Sequence, residues 1–155
     1  MSILRDTEIL KEIEAGRVVI DPFFKDNIQL ASIDLTLSST YGVLRKSQRP
    51  LTTSQFASGN EAVVWKQAKN KFLVPPGRTR MGKTLEKISL PLDVAGMIFP
   101  KGRLTLRGLS LQVSSGLVQP GRKEQELFFL IANMGATPVE LLTDDRICQL
   151  VLFRL

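Results

Sequence analysis

The stretch Val94–Asn133, VAGMIFPKGRLTLRGLSLQVSSGLVQPGRKEQELFFLIAN, decides how the chain is read. Short apolar runs at Val94–Phe99, Leu109–Val113 and Leu127–Ile131 have the length of strands. Pro100-Lys101-Gly102 and Gln119-Pro120-Gly121 stand between them as turns. The last run carries no polar residue, so it predicts a strand buried on both faces. Lys101, Arg103 and Arg107 make the Pro100–Gly108 segment a basic loop. If the protein handles a small anion, that loop and the turn at Gln119 should form the pocket.

Working outward, the same grammar covers the rest. Asp6 is placed to cap a helix running to about Ala15, with Ile9, Leu10 and Ile13 on one face and Gly16 closing it. From Val18 the period becomes two, and Ile33, Leu35 and Leu37 alternate with Asp34, Thr36 and Ser38. Further strands are expected at Tyr41–Leu44, Ala62–Trp65, Phe72–Val74, Thr79–Lys83, Val139–Leu142 and Ile147–Phe153. Pro75-Pro76-Gly77 and Met134-Gly135-Ala136 add turns. Lys46–Asn60, rich in Ser, Thr, Gln and Gly, reads as a long mobile loop or lid. Many short strands after one helix predict a mainly β fold, an antiparallel barrel or jelly roll, and 155 residues fit one domain.

Composition excludes several chemistries. There is no histidine and only one cysteine, Cys148, so His-based triads, disulfides and the usual zinc ligand sets are out of reach. Cys148 lies in the apolar run Arg146-Ile147-Cys148-Gln149-Leu150 and reads as a core residue, not a nucleophile. No apolar run approaches the ~20 residues of a membrane-spanning helix, and the N-terminus lacks the apolar core of a signal peptide. A cytoplasmic protein without a membrane partner is the expectation. The net charge of +6 suits an anionic partner. Nucleic acid is a poor candidate, because no ladder of aromatic and basic residues runs along the chain. Trp65, beside Lys66, Lys69 and Lys71, is the one local exception.

One motif fails on context. Gly77-Arg78-Thr79-Arg80-Met81-Gly82-Lys83-Thr84 matches the Walker A pattern letter for letter. That pattern works as a strand, a phosphate-cradling loop and then a helix. Here Pro75-Pro76 interrupts the entry and Pro91 leaves little room for the helix. Alternation through Thr79, Met81 and Lys83 fits a plain strand, with Arg80 and Lys83 facing solvent.

Four segments, in order, resemble the dCTP deaminase and dUTPase superfamily. LRDTEILKEIEAGRVVIDPF is similar to the N-terminal helix and first strand of dCTP deaminases. ASIDLTL resembles the first shared motif and brings its aspartate to Asp34. VPPGRTRMGKTLEKISLPLDVAGMI resembles the hairpin that leads to the active-site loop. DDRICQLVLF resembles the late Arg-Ile-x-Gln-Leu motif, carried by Arg146 and Gln149.

The resemblance implies a dUTPase-like β-barrel assembled as a homotrimer, with sites at subunit contacts. It implies dCTP or dUTP as ligand, magnesium carried on the triphosphate, and a zinc-free reaction: deamination of dCTP or hydrolysis of dUTP. Lys101, Arg103 and Arg107 would hold phosphates, with Asp34 and Gln149 supporting the site. A deaminase needs a base that takes a proton from water and returns one to the leaving amine. The chain departs from the family here. Gly102-Arg103 continues into Leu104-Thr105 without the family's paired serines. The water-activating aspartate of dUTPases falls at Gln119, and the deaminase glutamate falls at about Phe129 or Leu130. Glu126 is the nearby carboxylate left to act as base. An alternative reading keeps the barrel as a nucleotide-sensing or protein-interaction module without turnover. Asp34 itself lies in a half-buried strand, where its charge calls for a partner, an Arg from this chain or a neighbour.

Overall fold

The computed structural model describes residues 1–52 and 62–155. The expected lid falls partly on 53–60, outside the described residues. In chain order the elements are β1 (Ser2–Ile3), α1 (Asp6–Glu14), β2 (Val19–Asp21), a 3₁₀ turn (Lys25–Asn27), β3 (Ile28–Gln29), β4 (Ser32–Leu44), β5 (Val63–Gln67), β6 (Lys71–Val74) and β7 (Thr79–Ser89). They continue with β8 (Val94–Pro100), α2 (Gly102–Thr105), β9 (Leu109–Val113), β10 (Leu117–Val118), β11 (Gln125–Asn133), β12 (Val139–Leu142) and β13 (Arg146–Arg154). The mainly β architecture is the one expected.

Strand β4 organises the fold because it belongs to both halves of one curled antiparallel sheet, ordered β10-β8-β13-β4-β7-β11-β9. Its first half pairs with β13, Ile33 opposite Leu150 and Asp34 opposite Gln149. Its second half pairs with β5 and β7, Gly42 opposite both Trp65 and Met81. The register slips where it changes partners, between Leu37 and Tyr41. The core lies inside the curl, where Ile33, Leu35 and Leu37 meet Ile88, Phe129, Leu150 and Leu152. Gly82 is required there: a Cβ would lie 2.4 Å from the Phe129 ring.

Several expectations are corrected. The strand predicted at Leu127–Ile131 is not buried on both faces. Leu127, Phe129 and Ile131 point into the core, while Phe128 and Leu130 are half-buried and Phe128 packs against Trp65 at 5.8 Å. Helix α1 begins after Arg5 rather than on an Asp6 cap, and the Arg5 amide donates to Glu8 Oε2 at 3.0 Å. The basic segment is a short helix, α2, not an open loop. The Walker-like stretch lies on β7, as expected, but Lys83 is not a solvated residue; it pairs with Glu126 at 3.2 Å. The Arg80 guanidinium turns back onto the Thr79 carbonyl.

Candidate functional site

The first half of β4 has no solvent face. Ser32, Asp34, Thr36 and Ser38, polar by alternation, are as buried as the aliphatic residues between them. Desolvated polar groups need partners, and those partners define the site. Asp34 is 2% exposed, and Lys101 Nζ, coming from the end of β8, lies 2.6 Å from its Oδ1. Arg146 stands 3.7 Å from Oδ2. The Lys101 ammonium is close enough for a strong ion pair but is poorly aligned as a hydrogen-bond donor, so Oδ1 lacks a directed bond among the described residues.

A second buried carboxylate, Glu86 on β7, is 1% exposed. Both its oxygens accept the Thr36 backbone N–H, at 3.1 and 2.9 Å. The side chain thereby supplies the bond that the slipped β4–β7 ladder does not make at this point. Burial pushes the Glu86 carboxyl above its ordinary pKa, against the opposing effect of the Thr36 hydroxyl and amide. Cys148 sits beside these groups. Burial first, and then the Glu86 and Asp34 carboxylates, push its thiol up to about 12, which removes it as a nucleophile.

The cations of the basic segment have separate roles. Lys101 is committed to Asp34. Arg103 donates to the Arg146 carbonyl at 2.6 Å and lies 3.6 Å from Asp145. Arg107 makes no ion pair or side-chain hydrogen bond among the described residues. Arg103 and Arg107 share a hollow of about 200 Å³ with Leu104, Val139, Glu140 and Asp145. Gln149 reaches the site only as the register partner of Asp34. Glu126 stands apart on β11, paired with Lys83. Gln119 is exposed in its turn, its carbonyl accepting from Gln125 at 3.2 Å. A larger cleft, about 510 Å³, opens where Asn27, Thr36, Leu85 and Arg146 meet, and neither Glu126 nor Gln119 lines it.

Two of these participants escaped the sequence reading. Glu86 could have been found by carrying the β7 alternation past Lys83, since Thr84, Glu86 and Ile88 share the inward phase. Asn27 gave no signal, because a turn residue looks exposed until the fold closes over it. Among the described residues, no three acidic, His or Cys side chains converge on a metal-sized site. No described helix is long and apolar enough to cross a membrane.

Comparison with known proteins covers almost the whole chain. A family model described as dCTP deaminase-like matches residues 3–155. A "dCTP deaminase, dUMP-forming" from a Nocardioides species is 31% identical over 154 residues, covering 99% of this chain and 80% of the relative. The enzyme of that name from Methanosphaera stadtmanae is 29% identical over 156 residues, covering 97% and 78%. Among solved structures, a 2′-deoxycytidine 5′-triphosphate deaminase from Agrobacterium tumefaciens superposes with a TM-score of 0.77 at 19% identity over 97% of this chain. The chain spans 47% of that longer protein. A dUTPase from phage phi11 of S. aureus gives 0.53 at 11% identity, covering 89% and 90%. Both structural likenesses concern the fold.

Proposed function

The chain belongs to the dCTP deaminase-like family, and on that footing we propose that it binds a pyrimidine deoxynucleoside triphosphate and deaminates dCTP. The observation that carries this reading is the uninterrupted family match over residues 3–155. The relatives named dUMP-forming suggest dUMP as the final product. In the deamination, water adds at C4 of the cytosine ring and ammonia leaves, so one group must take a proton from water and return one to the amine. Glu126 is the carboxylate proposed for that task, and it must exchange its Lys83 pair for the substrate to do so. Gln119 can orient water but cannot act as a base. Arg107, without a counter-ion, and Arg103 would receive the phosphates, while the Lys101–Asp34 pair fixes the segment that presents them. Magnesium would arrive on the triphosphate.

We also propose self-association, in keeping with a homotrimer. The outer face of β8, β13 and their neighbours is apolar where an antiparallel sheet normally meets water. Ile3 and Phe153, then Val151, Met97 and Leu117, lie in adjacent rows by register, with Phe99 in the next. Light scattering on the full chain tests it, and a monomer at micromolar concentration overturns it.

A second reading, binding without turnover, draws on one observation. Phe129 is fully buried and Leu130 is half-buried, so that part of β11 offers no carboxylate to a substrate. Incubation with dCTP or dUTP and magnesium, followed by chromatography, separates the two. A uracil nucleotide formed from dCTP supports deamination. Calorimetric binding of dCTP without product supports the second reading, and absence of binding overturns both.

A further inference from the structure

The 510 Å³ cleft is not the hollow of the basic segment; none of Lys101, Arg103 and Arg107 lines it. Its most informative wall is Asn27, in the 3₁₀ turn after β2. Asn27 is 6% exposed, and its side-chain amide makes no hydrogen bond among the described residues although it borders the cleft. A buried amide left without a partner costs about 1–3 kcal/mol. Nothing in the packing around Asn27 compensates for this, so a partner from the cleft is the natural complement.

We propose that this cleft binds an uncharged nucleoside through the lactam edge of its base, at a site separate from the one proposed for the triphosphate. An Asn amide presents a donor and an acceptor side by side, and the O=C–N–H edge of a lactam base presents the converse pair. Thr36 adds a hydroxyl whose direction is set by its bond to the buried Glu86. Phe24, 48% exposed, and Leu85 supply apolar surface on which a planar ring can lie. The volume falls in the range of small-molecule sites.

Charge decides against a triphosphate here. Arg146 is the one cation lining the cleft. It is already engaged by Asp34 at 3.7 Å and by the Asp26 carbonyl at 3.3 Å. The carboxylates of Asp26 and Asp144 also line the cleft. A polyphosphate would meet more negative than positive charge, whereas sugar hydroxyls can donate to those carboxylates. The proposal holds whether or not the chain turns over dCTP.

Calorimetric titration of the full chain with deoxyuridine tests it, with 3-methyl-deoxyuridine as the probe whose lactam N–H is blocked. The expected result is a Kd below about 1 mM for deoxyuridine and roughly tenfold weaker binding of the methylated probe, the effect of one lost hydrogen bond. Phe24→Ala and Asn27→Ala should each weaken deoxyuridine about tenfold and leave dUTP affinity within about twofold. Because the Asn27 amide is unpartnered in the fold, Asn27→Ala should not lower the melting temperature of the free protein. No binding of deoxyuridine at about 5 mM overturns the proposal. So does equal affinity for the methylated probe, or mutual exclusion of deoxyuridine and dUTP. Failure of dUTP to bind would count against the proposed function and leave the deoxyuridine outcomes readable.

Discussion

Replacing Lys101 with methionine removes the closest counter-charge of Asp34 while keeping most of the side-chain volume. Breaking a buried ion pair by deleting one partner costs about 3–5 kcal/mol, because the remaining charge is left desolvated. Two features reduce that here. The Lys101 side chain is 24% exposed, so water can follow the vacated ammonium, and Arg146 stays 3.7 Å from the other oxygen. A cost of about 2 kcal/mol is expected for Lys101→Met. At this chain length that corresponds to a fall of roughly 4–8 °C in Tm. Asp34→Asn should cost less, about 1 kcal/mol, because the partly exposed ammonium can reach water. The double variant should then be less destabilised than the sum, with a coupling of roughly 1 kcal/mol or more. Urea denaturation at one fixed protein concentration measures all three variants, so that any self-association weighs equally on each. Lys101→Met within about 0.5 kcal/mol of the parent, or strictly additive costs, would refute the argument.

Other outcomes follow from the same interior. Glu86 has a folded pKa raised by burial above its ordinary 4.5, so its contribution to stability is fully present below that value and is lost as pH rises through the folded pKa. The stability of Glu86→Gln relative to the parent should therefore grow with pH from about 4.5 upward, and parallel denaturation curves at several pH values check the sign. Gly82→Ala puts a methyl 2.4 Å from a ring atom of the fully buried Phe129, and a loss of about 2–3 kcal/mol is expected in the same assay. Cys148, fully buried with its thiol pushed up to about 12, should resist an aromatic disulfide reagent at pH 8 in the folded protein and react promptly in urea. Rapid labelling of the native chain would contradict that burial.

The periodicity of the apolar residues located the strands well because each strand's inward phase is a local property. Leu109–Val113 and Val139–Leu142 have the bounds expected, and the others differ mainly at their ends. Ends are set by tertiary partners. Thr79–Lys83 extends to Ser89 because β2 and β11 both supply ladder bonds to the later residues. Likewise Ile33–Leu37 and Tyr41–Leu44 fuse into one strand because β13 takes its first half while β5 and β7 take its second.

The sequence by itself determined the mainly β class, the order of its strands, the absence of His and thiol chemistry, and the family, since each rests on residue type and local spacing. Only the tertiary structure decided that the polar face of β4 is buried, that Lys101 rather than an arginine lies closest to Asp34, and that Glu86 completes the β4–β7 contact. It also decided that Asn27 faces a cleft without a partner. Alternation can assign a side chain to one face of a strand, but whether water or another strand covers that face depends on residues far away in the chain.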